Sequence, residues 1–329
     1  MVRHSTSGRR GYGLALACTT MTLWGLLPLA LKALLVKMDS STIVGFRFLC
    51  SALLVGLLLG LRHRLPRLGK LRRSGALLLL IAIVGLGGNY LTYMIGLNLT
   101  SPAIAQVIIQ LAPPILTAGS LFYFRERFTG WQWIGFLLLL GGLALFFYAQ
   151  IELRASDLGA YYSGVAWVAA AALLWAIYGM AQKQILVQMP SQAVMLCVYV
   201  ACSLVFIPLS TFGQLADLDG IEWGLLVFAT LNTVIAYGAF SEALEHLEAS
   251  RVSAVLSLTP LATIAFSRGA HALMPELFDA DPIAPWAWVG AIAVIVGSVL
   301  VALASSSKKQ PPVGALPVEP PAKLGESVG

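Results

Sequence analysis

Arg47 lies about seven residues into an uninterrupted apolar stretch, 40–61. At about 1.5 Å of helical rise per residue, that is roughly 10 Å from its start. A guanidinium at such a depth has two uses. It can hold a carboxylate of a solute, or it can be structural, snorkelling outward or pairing with helix-end carbonyls. The other polar groups within apolar stretches are uncharged. Asn89, Tyr90 and Tyr93 fall in the stretch 74–96, and Asn232 and Tyr237 in 222–243. Gln106 and Gln110, spaced i and i+4, share one face of a helix over 102–124. Such groups either line a water-filled cavity or hydrogen-bond between helices. Trp24 lies some 12 residues into 12–31, and Trp175 and Tyr178 fall within 162–182. Trp24 is too deep for an interfacial belt, so it is either a packing residue or part of an aromatic wall facing an apolar solute.

Bond-making chemistry has little to stand on. His4, His63, His246 and His271 are scattered without visible triad partners, and the chain has no P-loop, dinucleotide fingerprint or HExxH. Glu242 and Glu245 fall at the end of their stretch, and no other carboxylate lies convincingly within one. Proton coupling through a buried acid is therefore unsupported, leaving facilitated diffusion or exchange open. Cys18, Cys50, Cys197 and Cys202 fall in apolar stretches without a CxxC, as small buried hydrophobes do. No enzyme activity, cofactor or metal is expected.

These residues must be held by helices in lipid. The 329-residue chain is 58% hydrophobic and 11% charged, against about 25% charged for soluble domains. Ten apolar segments follow one another, near 12–31, 40–61, 74–96, 102–124, 131–149, 162–182, 191–211, 222–243, 250–272 and 284–304. Most approach the roughly 20 residues that cross a bilayer. Strand alternation is absent, which disfavours a β-barrel. The reading is an all-α integral membrane protein with ten transmembrane helices.

Loop charge sets the direction. With a cytoplasmic N-terminus, inside segments carry 16 of the 21 basic residues, including the cluster Arg62, Arg64, Arg67, Lys70, Arg72 and Arg73. Outside loops are acidic. The expectation is a multi-pass protein of a cell inner membrane with both termini cytoplasmic. Anchoring explains the net charge of +6, so lipid and a small-molecule solute are the expected partners and nucleic acid is not. The basic leader (Arg3, Arg9, Arg10) and first segment are too long for a signal peptide, and no small-residue cleavage site is followed by a soluble domain. They are read as a retained span. The Pro-rich segment 305–329 is expected to be disordered.

An internal repeat organises the rest. Residues 23–40 (LWGLLPLALKALLVKMDS) match 174–191 (LWAIYGMAQKQILVQMPS) at 8 of 18 positions, including Trp24 with Trp175 and Lys32 with Lys183. Tyr90, Leu111 and Pro113 match Tyr237, Leu258 and Pro260. WQWIG at 131–135 matches WAWVG at 286–290, and Gly142 matches Gly297. The expected division is a leader over 1–11, a first repeat over 12–149, an external linker over 150–161, a second repeat over 162–304 and the tail. Five spans per repeat is an odd number, so the second copy enters the membrane from the opposite side. Inverted copies with a site between them are the architecture of many secondary transporters. Pro113 and Pro260, at equivalent places, are expected to kink their helices.

LWG in the first span, Phe46-Arg47-Phe48 in the second, LAPP in the fourth with SLTP in the ninth, and Arg125-Glu126 before WQWIG resemble the EamA repeat of the drug/metabolite transporter superfamily. The resemblance covers about 12–304. It implies a ten-helix inner-membrane carrier, often an exporter of amino acids or related metabolites, with a cavity lined by helices 1, 3, 4, 6, 8 and 9. The second half departs from the pattern: Glu276 lacks a preceding basic partner, and ELFDADPIAP is inserted before the last span. The expected function is efflux of small organic, amphipathic metabolites by alternating access. A drug or nucleotide-sugar carrier of the same superfamily, or a non-transporting sensor or scaffold, is the alternative.

Overall fold

The computed structural model describes residues 9–66, 69, 71–112, 114–115, 129–151, 158–186, 188–247 and 249–306. Among them every regular element is helical. The helices are α1 (Arg10–Leu34), α2 (Ser40–Leu61), α3 (Arg73–Leu99), α4 (Pro102–Ile108), α5 (Gly130–Ile151), α6 (Leu158–Ile185), α7 (Ser191–Phe206), α8 (Gly220–His246), α9 (Ala249–Leu256), α10 (Thr259–Leu273) and α11 (Pro285–Ser306). Short 3-10 turns follow α4 at Ile109–Leu111 and α7 at Ile207–Leu209.

Seven helices are long and apolar enough to cross a membrane: α1, α2, α3, α5, α6, α7 with its 3-10 turn, and α8. Two shorter apolar helices, Pro102–Leu111 and Pro285–Val301, join them. The ninth segment expected from the sequence is not continuous, since Ser257 and Leu258 separate α9 from α10. Pro260 lies in the first turn of α10, where its missing N–H costs nothing. It begins a helix after a break rather than bending one in its middle. Pro113, Arg125, Glu126, most of the linker and the segment 307–329 lie outside the described residues.

Local chemistry starts these helices. Asp39 accepts the Thr42 amide at the head of α2, and Asp219 with Glu222 forms a capping box on α8, each satisfying amides left without an intrahelical partner. Lys37 Nζ donates to Glu222 Oε2 at 2.7 Å, and this carboxylate holds the ammonium above its usual range. The acidic insertion has a structural use as well: Asp281 accepts the Ala103 amide at 3.1 Å, in the first turn of α4. Lys32 Nζ donates to the carbonyls of Leu97, Asn98 and Thr100 at 3.0, 2.7 and 2.8 Å. A cation thus closes the carbonyl end of α3. Lys32→Met is expected to lower stability by about 1–2 kcal/mol, read as an earlier thermal unfolding midpoint of the detergent-purified protein.

Packing joins the two parts of the chain throughout. The most extensive contacts are α5 with α11, α3 with α6, α1 with α8, and α2 with α7. Helices α5 and α11 are repeat-equivalent and antiparallel: a Cβ at Gly135 would lie 2.8 Å from the Gly297 oxygen, and one at Gly142 2.8 Å from the Gly290 oxygen. Trp131 and Trp286, exposed at the starts of these helices, consequently sit at opposite ends of the pair, where interfacial aromatic belts would anchor them. Leu53, Leu57, Leu77, Leu137, Val289 and Ile292 face outward, as side chains bathed in lipid do.

Candidate functional site

Tyr237 is the centre of the polar and aromatic groups within the bundle. It lies two-thirds of the way along α8, where its ring meets Trp24 of α1 edge-on, with centroids 5.4 Å apart. Phe240, nearly one turn on, lies 5.8 Å from the same indole. The Trp175 side chain of α6 sits beside the Tyr237 phenol, and Tyr90 of α3 is near enough to act on it electrostatically. The repeat-equivalent pairs Trp24 with Trp175 and Tyr90 with Tyr237 therefore converge on one place. Tyr178, one helical turn from Trp175, joins them; its hydroxyl meets Met195 Sδ at 3.1 Å.

The second part of the cluster is built around Arg47 of α2, which is 3% exposed. Its Nε donates to the Ala229 carbonyl at 3.2 Å and an Nη to Thr233 Oγ1 at 3.0 Å, both on α8. Its guanidinium carbon lies 4.8 Å from the centroid of the Tyr90 ring, within cation–π range. Phe48 stacks on the Tyr90 ring, with centroids 4.7 Å apart. Among the described residues, the phenols of Tyr90, Tyr237, Tyr199 and Tyr93 are near enough to act on the Arg47 charge. Tyr93 donates to Gln106 Oε1 at 3.3 Å, which ties α4 to this cluster. Gln110, one turn on, is buried in the 3-10 turn.

The two asparagines have a different use. Asn89 Nδ2 donates to the Ala171 carbonyl at 2.8 Å, from α3 to α6. Asn232 Nδ2 donates to the Leu23 carbonyl at 2.6 Å, from α8 to α1. Each amide bridges to a helix of the other half, and among the described residues Asn232 Oδ1 is buried without a hydrogen-bond partner. By contrast, Trp24, Tyr93, Trp175 and Tyr237 are only partly buried. Tyr93 and Tyr237 keep accessible surface although protein surrounds their rings.

Three groups at the site escaped the reading of the sequence. Thr233 receives the Arg47 bond, the Tyr199 hydroxyl donates to the Thr233 carbonyl at 3.3 Å, and Phe48 backs Tyr90. Only Phe48 carried a signal, by its place next to Arg47. The residues flanking the helix breaks lie close by. Thr263 of α10 donates to the Gly25 carbonyl at 2.9 Å, one residue beyond Trp24. Glu242 accepts from Tyr12 at 3.0 Å in an exposed position. Among the described residues, no group of three or more His, Cys, Asp or Glu side chains comes together to hold a metal.

Comparison with known proteins places this arrangement among transporters. The profile of the EamA-like transporter family matches residues 11–148 and 162–303, one copy in each half. An uncharacterized transporter of Haemophilus influenzae is 37% identical over 291 residues, covering 88% of this chain and 94% of that protein. The uncharacterized inner membrane transporter YhbE of Escherichia coli K12 is 36% identical over 294 residues, covering 89% and 92%. A solved crystal structure shares the fold, with a TM-score of 0.58 at 21% identity, over 90% of this chain and 98% of that one.

Proposed function

The chain belongs to the EamA-like transporter family of the drug/metabolite transporter superfamily, and from that premise we propose that it is a secondary carrier exporting small, amphipathic organic solutes by alternating access. The protein is a multi-pass membrane protein. The carrier has ten spans in two inverted five-helix repeats, in an inner membrane, with both termini cytoplasmic. The inner-membrane name of the Escherichia coli relative and the loop charges support that placement. The antiparallel pairing of α5 with α11 supports the inversion.

One observation carries the reading: repeat-equivalent aromatic side chains from both halves meet at Tyr237, and Trp24, Trp175 and Tyr237 each keep part of their surface exposed. A solute held there touches both halves at once. Relative movement of the halves then exposes it to one side or the other. The break between α9 and α10, and the 3-10 turn after α4, lie in the repeat-equivalent segments before Pro260 and Pro113. They supply backbone that can bend without breaking a continuous helix. Trp24, Tyr90, Tyr93, Gln106, Gln110, Trp175, Tyr178 and Tyr237 line the solute's path, while Asn89 and Asn232 hold the walls together.

Flux in proteoliposomes tests the carrier reading. Full-length protein should move at least one solute from a panel of amino acids, organic acids, nucleosides, sugars and cationic drugs, with saturation. Folded protein that moves none of them would refute it.

A further inference from the structure

Resting on the carrier reading, we propose that Arg47 is the anion anchor of the site, and that the solute is a monoanion: one carboxylate on an apolar or aromatic body.

Among the described residues, Arg47 is a cation without a counter-ion. It is buried about 10 Å along a membrane helix, and its described neighbours are a carbonyl, a hydroxyl and tyrosine rings. Among the described residues, no carboxylate acts on its charge. The nearest structural explanation is a bridge from α2 to α8, which needs hydrogen-bond donors but not a buried charge. The charge itself is left unexplained by the bridge, and intramembrane charges are costly enough to mark solute or ion sites. The fork also has spare capacity. A guanidinium has five N–H donors, and among the described residues hydrogen bonds use Nε and one terminal nitrogen.

Position and charge together define the ligand. The phenols of Tyr93 and Tyr237, which are only partly buried, are also among the groups near enough to act on Arg47. A carboxylate entering there meets the guanidinium at one end, while its body lies against the Tyr237 and Trp24 rings. A single guanidinium balances a single negative charge, and no second cation acts on this position among the described residues. Lys32 and Lys37 are engaged at the α3 terminus and with Glu222. A diphosphate would remain uncompensated here, and a cationic solute would be repelled in a low-dielectric setting where charges act strongly.

The test uses matched solutes and the full chain. Purified protein is titrated with 3-phenylpropionate, 3-phenylpropionamide and 3-phenylpropylamine, and with straight-chain monocarboxylates and their amides from two to eight carbons. Tryptophan fluorescence and thermal stabilisation report binding. Carboxylates of suitable length should bind, and their amides and amines should bind at least about 30-fold more weakly. Arg47→Gln should weaken carboxylate binding by a similar factor with no effect on amides, and Arg47→Lys should recover part of it. If Arg47→Gln does not fold, the wild-type series decides alone. Equal binding of carboxylate and amide, binding of the amine in preference, or no carboxylate binding at all would overturn the anchor. Flux separates the two proposals: a protein that moves amides or amines but not carboxylates remains a carrier with a different anchor. One that binds carboxylates through Arg47 yet moves nothing retains the anchor and loses the carrier.

Discussion

Gly290→Leu is expected to abolish stable folding of the full-length protein, whereas Gly141→Ala is expected to leave it unchanged. The difference follows from which face of the α5 and α11 pair each glycine occupies. A Cβ at Gly290 would lie 2.6 Å from the Phe146 nitrogen and 2.7 Å from the Gly142 oxygen. One at Gly297 would lie 2.5 Å from the Gly135 oxygen and 2.6 Å from the Leu139 nitrogen. These neighbours are backbone, so no side chain can rotate away; the helices themselves must separate. In lipid, helix association rests on such close van der Waals contact, because no hydrophobic force drives two apolar helices together. Leucine at Gly290 forfeits the contact along the whole pair, a loss of about 3 kcal/mol or more. Gly141, one residue from Gly142, has nothing within 4 Å of a Cβ. Alanine there even adds helix propensity, about 0.5–1 kcal/mol. Size-exclusion profiles and thermal unfolding of the two purified variants check both halves of the prediction. A monodisperse Gly290→Leu protein with an unchanged midpoint would show that the pair does not depend on this approach.

The glycine contact shows where sequence reading stops. Matching WQWIG to WAWVG, and Gly142 to Gly297, is visible in the letters because duplication leaves composition-independent identities such as Trp in register. That the two matched helices pack against each other is not visible, because equivalence within a repeat specifies a symmetry relation and not a contact. The aromatic residues follow the same pattern. Trp24 with Trp175 and Tyr90 with Tyr237 are legible as repeat-equivalent pairs, and Trp24 as too deep for an interface; Tyr237 then gathers them. Thr233 and Tyr199 were illegible, since a threonine or a tyrosine in an apolar stretch looks the same whether it faces lipid, a neighbour or Arg47. The span count shows a third limit. Hydropathy alone reads 250–272 as one helix, but the break at Ser257 and Leu258 is a backbone event. The proline at 260 signals an interruption without saying whether the helix bends or stops. It stops, because proline suits the first turn of a new helix better than the interior of an old one.

Trp24→Ala and Asn89→Ala are expected to fail in opposite ways, although the sequence offers both as candidates for the same cavity. Trp24 is partly buried and holds the Tyr237 ring at 5.4 Å. Removing the indole takes away apolar surface that a solute body would cover, about 2 kcal/mol or more at roughly 25 cal/mol per Å². Affinity for a transported solute should fall by about 30-fold or more, with expression and unfolding midpoint little changed. Asn89 presents the reverse case. Its amide donates to the Ala171 carbonyl, holding α3 against α6 at a buried position. Alanine leaves that carbonyl its own helix bond but removes the cross-link, worth about 1 kcal/mol within a membrane. The unfolding midpoint should drop while the half-saturation concentration stays near that of the wild type. Measuring both quantities on both variants is decisive, since either one alone confuses a weakened wall with a weakened site. If Asn89→Ala instead raised the half-saturation concentration at unchanged stability, the amide would belong to the solute and the solute path would extend towards α6. If Trp24→Ala lowered stability and left affinity alone, the aromatic meeting at Tyr237 would be packing between the halves, and the solute path would have to run elsewhere.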